Sequence, residues 1–140
     1  FSPGESCREA ILAKLSSAKT SVDICVFTIS DDIISKAVLL AHKRGVRVRI
    51  ITDNDKSLDT GSDVEYLYKE GVPLRTDLTK VHMHHKFAIF DSEYLLTGSY
   101  NWTRSAATSN YENIVILNDP QLVRSFKNEF RRLWLSLARD

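Results

Sequence analysis

The 140-residue chain contains little cysteine, glycine or proline, and it has no long hydrophobic run. Its two cysteines, Cys7 and Cys25, are far apart and form no CxxC pair, so neither a zinc motif nor a redox motif is present. We expect two free, buried thiols, with a single disulfide as the alternative. No apolar stretch approaches the roughly 20 residues that are needed to span a bilayer.

The sequence leaves the origin of the chain open. It begins at Phe1 and its only methionine is Met83, so the parent protein could carry a signal peptide or an N-terminal membrane anchor that this sequence does not show. The sequence therefore predicts no particular cellular compartment.

The numbers of positively and negatively charged residues are almost equal. The 19 basic and 18 acidic residues give a net charge of +1, which argues against a domain that coats nucleic acid by bulk charge. Any affinity for phosphate has to be local. Hydrophobic residues make up 43% of the chain, and its length is that of one globular domain, so we expect a single domain over residues 1–140.

Hydrophobic periodicity predicts strands that alternate with helices, followed by a hairpin, a further strand and a last helix. Predicted helices cover 5–18, 31–43, 62–70 and 120–138, and predicted strands cover 21–29, 46–52, 86–90, 94–97 and 112–117, with a short strand starting at 72–74. This order indicates an α/β fold, in which a mixed β-sheet is flanked by helices on both faces.

The residues that point to chemistry lie between His82 and Glu112. Along a strand, residues two apart share a face, so His84 and Lys86 are expected to project together while His85 points away. An imidazole beside an ammonium group suits attack on a phosphate. The cation neutralises phosphate charge and favours the neutral, nucleophilic form of the ring.

Two uncharged polar residues follow the predicted hairpin. Ser99 and Asn101 lie in the turn Gly98-Ser99-Tyr100-Asn101, which a hairpin can bring back beside His84. Short polar side chains of this kind can donate hydrogen bonds to phosphate oxygens. Taken alone, this stretch is more typical of an ordinary turn than of a phosphate site.

These motifs resemble the HKD signature of the phospholipase D superfamily. The pattern HxKxxxxD runs from His84 through Lys86 to Asp91, and Gly98-Ser99-Tyr100-Asn101 follows it. The similarity extends over nearly the whole chain. It is strongest to the small members with one motif, namely the bacterial Nuc-type endonucleases and the Zucchini/mitochondrial cardiolipin hydrolase group.

The resemblance implies a role for each matched residue. His84 would attack phosphorus and become a phosphohistidine, while Lys86, Ser99 and Asn101 would hold the non-bridging oxygens. Glu112 would accept a hydrogen bond from the other ring nitrogen of the histidine and fix its tautomer.

Three further residues are candidates with different roles. Asp91 is an odd number of residues from His84, so we expect it to hold the strand end or the surroundings of Lys86. Lys80 and Arg104 flank the motif and are candidates for additional phosphate contacts. The basic run at 42–49 is expected to be a solvated face.

The mechanism that the resemblance implies needs a nucleophile and a general acid, whereas this chain has one motif. His42, the only histidine outside the cluster, lies on a predicted helix without an HxK context. The second His84 is therefore expected from a twofold-related copy, so we predict a homodimer that needs neither a metal nor another cofactor.

Alternatives stay open at this point. His82, His84 and His85 could instead bind a metal, although Lys86 would repel a cation there. The leading function is an endonuclease that acts on single-stranded RNA or DNA. The alternatives are a phospholipase acting on cardiolipin or a similar lipid, and a phosphate-binding module without catalysis.

Overall fold

The computed structural model describes residues 1–57, 59–77 and 79–137. The helices are α1 (Ser6–Ser17), α2 (Asp32–Lys43), α3 (Asn54–Ser57), α4 (Val64–Lys69), α5 (Arg104–Thr108) and α6 (Pro120–Ser136). The strands are β1 (Ser21–Val26), β2 (Arg47–Thr52), β3 (Leu74–Thr76), β4 (Lys86–Phe90), β5 (Tyr94–Gly98) and β6 (Ile114–Leu117).

The six strands form one sheet in the order β3-β2-β1-β4-β5-β6. Strands β1, β2 and β3 run parallel, because α2 and α4 provide the crossovers between them. Strand β4 pairs antiparallel with β1, and β5 and β6 continue the antiparallel half. The predicted α/β fold with a mixed sheet is therefore confirmed.

Helices cover both faces of the sheet, which explains why all six residues of β1 are buried. Val22, Ile24 and Val26 point into a core shared with α1, α2, α4 and α5. Cys25 points to the other face, where it packs with Ile51 under α6. This alternation is what a strand buried on both sides requires.

The two cysteines are buried and free, as expected. They cannot form a disulfide because Cys7 lies in the core under α1 and Cys25 lies in the core under α6, on opposite faces of the sheet. The Cys25 thiol instead contacts Met83 Sδ at 3.4 Å. Among the described residues, no helix is both long enough and apolar enough to cross a bilayer.

Several element ends differ from the predictions. Strand β1 ends at Val26, three residues before the predicted end, and beyond it Ile29 forms an isolated bridge with Trp102. The short helices α3 and α5 were not predicted, since four or five residues carry too little periodicity. The predicted end of the last helix at 138 lies outside the described residues.

The start of α1 agrees with the prediction to within one residue, because the helix begins at Ser6. The preceding Glu5 forms no side-chain cap, and Ser2 pairs with Glu112 through backbone hydrogen bonds. Helix α2 also begins as predicted, and there the Asp31 carboxylate accepts the N–H of Ile33.

Candidate active site

An open cleft of about 690 Å³ lies where β1 ends and β4 begins. Its lining combines both halves of the sequence motif with three phenylalanines. It is formed by Phe27, His84, His85, Lys86, Phe87, Thr97, Gly98, Ser99, Asn101, Glu112 and Phe126. Five of the predicted site residues, from three separate chain segments, therefore meet in one place.

His84 and Lys86 form the centre of this cleft. Lys86 Nζ lies 3.0 Å from His84 Nδ1 and also donates to His84 O at 2.7 Å. Desolvation, the charge of Lys86 and the neighbouring His82 hold the pKa of His84 below its usual value. The ring is therefore biased toward the neutral form that can act as a nucleophile.

The surroundings of Lys86 lower its own pKa. Burial lowers the pKa of its ammonium group, while the negative charge of Glu112 opposes that shift. The ring of Phe27 lies under both groups, 5.4 Å from Lys86 Nζ and 4.7 Å between ring centroids from His84. An aromatic floor of this kind limits solvent access from below and strengthens the electrostatic effects above it.

The three clustered histidines do not share one set of partners. His82 Nδ1 lies 3.4 Å from Asp53 Oδ1, and His85 Nε2 lies 3.4 Å from Glu129 Oε2 on α6. His85 thus points away from Lys86, as the strand pattern predicts. A metal held jointly by the three imidazoles does not fit this arrangement, because His85 is turned toward Glu129 while His82 and His84 lie together against Phe27.

Asp53, Asp55 and His82 could hold a cation by distance alone, since their ligand atoms lie within 4.8 Å of one another. The Asp53 carboxylate, however, is fully buried and is already used by the backbone. It accepts hydrogen bonds from the N–H groups of Met83, Asp55 and Lys56. This places Asp53 as the residue that fixes the chain just before the HKD motif.

Ser99 and Asn101 follow β5 and are positioned by hydrogen bonds that leave donors for a ligand. Ser99 Oγ accepts the N–H of Asn113 at 3.1 Å, so its hydroxyl hydrogen can donate elsewhere. Asn101 Oδ1 accepts the N–H of Thr28 at 3.2 Å, which leaves its amide hydrogens to donate. The same two residues can therefore accept hydrogen bonds that stabilise the turn and still donate hydrogen bonds to a ligand.

The glycine of the GSxN turn is required by the neighbouring strand. A Cβ atom at Gly98 would lie 2.9 Å from Ile114 Cα and would overlap the carbonyl oxygen of Asn113. Any side chain would therefore push β6 away from β5 and displace Ser99 from the cleft.

Glu112 lines the cleft but does not contact His84 in the expected way. Its carboxylate accepts from Asn110 Nδ2 at 3.4 Å, and its backbone is paired with Ser2. Within the described part of one chain, the bond to the second nitrogen of His84 comes from Lys86 and not from Glu112. The predicted tautomer contact is thus absent inside a single subunit.

Asp91 lies at the opposite end of β4 from the cleft. It accepts hydrogen bonds from the N–H groups of Lys19, Thr20 and Ser21, and so holds the α1–β1 connection. Burial acts to raise the pKa of Asp91, but these bonds outweigh it and keep the pKa below its usual value. Of the two roles considered from the sequence, the structure favours holding the strand end over shaping the surroundings of Lys86.

The two flanking basic candidates do not line the cleft. Arg104 donates to Asp32 at 2.7 Å and lies in a neighbouring cleft that also contains Lys56. Lys80 is exposed on the segment before His82. Their predicted contacts with phosphate remain predictions.

Sequence reasoning missed the aromatic part of the site. Phe27 and Phe126 line the cleft, and they come from the end of β1 and from α6. Phe27 lies within the strand predicted at 21–29 and directly follows β1 in the structure, and the bond from its N–H to His85 O marks the junction of β1 with the motif. The signal that could have indicated Phe27 is its position near the end of a central strand that lies beside β4.

Comparison with known proteins identifies the family. The family described as "Cardiolipin synthase, PLD-like domain" matches residues 11–134. The chain belongs to this phospholipase D-like family. The match spans all six strands, and therefore includes every residue that lines the cleft.

Sequence relatives are named mitochondrial cardiolipin hydrolase. The Chlamydomonas reinhardtii protein is 53% identical over 120 residues, which are 86% of this chain and 54% of that protein. The Homo sapiens protein is 45% identical over 131 residues, 94% of this chain and 52% of that protein. The chain thus spans about half the length of these curated relatives.

Solved structures agree on the fold. Nuc from Salmonella typhimurium, described as a phospholipase D family member, has a TM-score of 0.86 and 37% identity. That match covers 95% of this chain and 89% of Nuc. NucT from Helicobacter pylori has a TM-score of 0.87 at 24% identity over 97% of this chain and 92% of NucT, and it supports the fold alone.

Proposed function

We propose that the chain is a metal-independent phosphodiesterase that cleaves single-stranded RNA or DNA through a phosphohistidine at His84, in an active site shared by two subunits. The observation that carries this proposal is the contact of 3.0 Å between His84 Nδ1 and Lys86 Nζ. It lies in one cleft with Ser99, Asn101 and Glu112. This set supplies a nucleophile, a cation and neutral donors around one phosphate position.

The first step transfers the phosphoryl group to the enzyme. A ring nitrogen of His84 attacks phosphorus, an N–P bond forms, and the bond from phosphorus to the leaving oxygen breaks. The protonated His84 of the partner subunit gives its proton to that oxygen, which leaves as an alcohol. Lys86, Ser99 and Asn101 stabilise the charge on the remaining oxygens.

The second step hydrolyses the intermediate. The partner histidine, now neutral, takes a proton from a water molecule while the water oxygen attacks phosphorus. The N–P bond breaks, a phosphomonoester is released, and both rings return to their starting protonation states. Lys86 Nζ is drawn toward the bound phosphate in this scheme, which frees the nitrogen of His84 that it contacts in the unliganded chain.

The arrangement of the other histidines supports a shared site. His82 Nδ1 lies against Asp53 and His85 Nε2 lies against Glu129, so one ring nitrogen of each is already engaged by a carboxylate, although His82 borders the same Phe27 ring as His84. A general acid for the leaving oxygen is therefore best supplied by a second copy of the chain. Glu112, which makes no contact with His84 of its own subunit among the described residues, is available to act across the same boundary.

A second candidate is a phospholipase that hydrolyses cardiolipin or a related phospholipid. The names of relatives with 53% and 45% identity favour it directly. The structure adds that Tyr111, next to Glu112, is 93% exposed. An exposed tyrosine beside the cleft is suited to a membrane interface as well as to stacking on a base.

A substrate panel in excess EDTA tests the proposal. Labelled single-stranded RNA, single-stranded DNA and cardiolipin vesicles are each incubated with the protein. We expect cleavage of the strands without added metal, and a loss of at least about 10⁴-fold in His84→Asn. His42→Asn, on α2 and outside the cleft, is the matched control and should keep full activity.

The outcomes separate the candidates. Hydrolysis of cardiolipin with intact strands would replace the nuclease proposal by the phospholipase. Complete inhibition by EDTA that added metal restores would contradict a phosphohistidine mechanism and bring back a metal site.

A further inference from the structure

A second cleft, on the α6 face of the sheet, has no part in the chemistry described above. This α6 cleft has a volume of about 570 Å³. It is lined by Asp23, Arg47, Arg49, Ser92, Pro120, Val123, Arg124, Lys127, Asn128, Arg131, Trp134 and Leu135. Arg47 begins β2 and Ser92 follows β4, so the α6 cleft lies at the opposite end of the sheet from His84.

The α6 cleft concentrates positive charge that the chain as a whole does not have. Among the described lining residues, the one acidic side chain is Asp23, and it is neutralised by two hydrogen bonds from Arg49 at 2.9 and 3.0 Å. The other four basic side chains form no ion pair within the described residues; they are Arg47, Arg124, Lys127 and Arg131. Four unneutralised cations in a chain of net charge +1 form a strong local field.

The basic side chains are arranged along a line. Arg124, Lys127 and Arg131 are spaced by three and four residues, so they share one face of α6 and extend over about 10 Å. Lys127 is further positioned by donating to Ser92 Oγ at 2.8 Å. Arg47 faces them from the sheet. A row of cations with a fourth on the facing wall fits a ligand with phosphates in sequence.

The α6 cleft offers charge but no free aromatic surface for bases. Trp134 is stacked on Phe130, with ring centroids 5.9 Å apart, and Arg75 lies over its ring at 4.0 Å. Recognition would therefore involve the backbone phosphates and be independent of sequence. A membrane surface fits less well, because the cations line a concave cleft in which Leu135 is the only strongly exposed apolar side chain among the described lining residues.

We infer that the α6 cleft binds the phosphodiester backbone of a single-stranded nucleic acid on one side of the cleavage site. This inference rests on the proposed nuclease function and extends it with a second contact region. Helix α6 connects the two places, because Phe126 lines the catalytic cleft while Val123 and Lys127 line the α6 cleft. A strand that leaves the catalytic cleft can therefore cross α6 and reach the basic row.

Salt-dependent binding tests this inference. His84→Asn serves as the background, so that strands are bound and not cut. The test variant adds Arg47→Gln, Arg124→Gln and Arg131→Gln. The matched control adds Lys36→Gln, Lys43→Gln and Lys69→Gln, which remove the same charge from helices on the opposite sheet face. Each phosphate contact contributes about 0.7 to the slope of log K against log salt, so the test variant should lower the slope by about 2 for a strand of about 20 nucleotides.

Strand length provides the second readout. The loss of affinity in the test variant should be larger for the long strand than for one of about 4 nucleotides, which the catalytic cleft alone can hold. The control should lose little at either length. Equal slopes in the test variant and the control would overturn the inference, as would equal losses at both lengths.

Failure of the inference can be told apart from failure of the proposed function. If the wild-type protein cleaves strands and the test variant behaves as the control does, only the inference falls. If the background protein binds no strand while the wild type hydrolyses cardiolipin, the nuclease proposal falls with it. Loss of binding to vesicles of anionic phospholipid in the test variant, with strand binding unchanged, would assign the α6 cleft to a membrane.

Discussion

The proposed sharing of one active site by two subunits makes a stoichiometric prediction. Each site needs His84 twice, once as the nucleophile and once as the general acid. The perturbation is to mix wild-type protein with His84→Asn at equal concentration and to let the subunits exchange completely. A mixed dimer has one intact copy of His84, which can serve as the nucleophile or as the acid but not as both.

The magnitude follows from random pairing. After exchange, about one quarter of the dimers are fully wild type, half are mixed and one quarter are fully mutant. If a site needs both copies of His84, the activity per wild-type chain falls to about one half. The total then falls to about one quarter of the activity of an equal total number of chains that are all wild type. If each chain is complete by itself, the total stays at about one half.

The structure also identifies what the opposite result would mean. A histidine of the same chain that could serve as the acid instead is His82, which lies beside the same Phe27 ring, at 5.1 Å between centroids. A total activity that remains at half would assign the acid to the same subunit, with His82 as the first candidate, and would refute the shared site. Mixing with His42→Asn in place of His84→Asn is the control and should cause no loss at any ratio.

The remaining predictions concern single positions. Gly98→Ala should destabilise the fold by about 3 kcal/mol in denaturant unfolding, because its Cβ overlaps the Asn113 carbonyl. Asp91→Asn tolerates the φ of 57° but loses charged hydrogen bonds, so it should cost about 1–3 kcal/mol near pH 7. That difference should disappear as the pH falls through the depressed pKa of Asp91, since the folded state then loses the same charge. Lys86→Met should raise the pKa of His84 in an NMR titration, because a neighbouring cation is removed; an unchanged or lower value would contradict the role given to Lys86.

The fold was largely predictable because its strongest signals are local. Strand β1 is a continuous run of buried residues, and Gly45 ends α2 at a φ of 97°, which a glycine adopts without strain. Helices α3 and α5 escaped prediction because they are too short for periodicity to accumulate. The pairing of Ser2 with Glu112 was not predicted, because the two residues are 110 positions apart and no local pattern can reveal such a partner.

Those parts of the candidate site that depend only on strand geometry could be predicted. His84 and Lys86 are two residues apart, and the period of a strand places them together. The predicted contact of Glu112 with His84 is absent among the described residues, and strand periodicity could not test it, because Glu112 is placed by the long connection from β5 through α5 to β6. Phe27 was missed for the same reason: its role depends on its position under the HKD motif, and that follows from the pairing of β1 with β4.

A site built on a twofold axis has to explain how two identical histidines take opposite roles. In the proposed dimer, desolvation and Lys86 lower the pKa of both His84 rings equally. Protonation of one ring then disfavours protonation of the other across the axis, while the negative phosphate between them favours one proton over none. The bound state therefore holds a single proton shared by two rings, and the direction of the leaving oxygen decides which ring donates it. Because the protein itself does not distinguish the two sides, such a site should cleave a strand bound in either polarity, which an enzyme with two different motifs in one chain need not do.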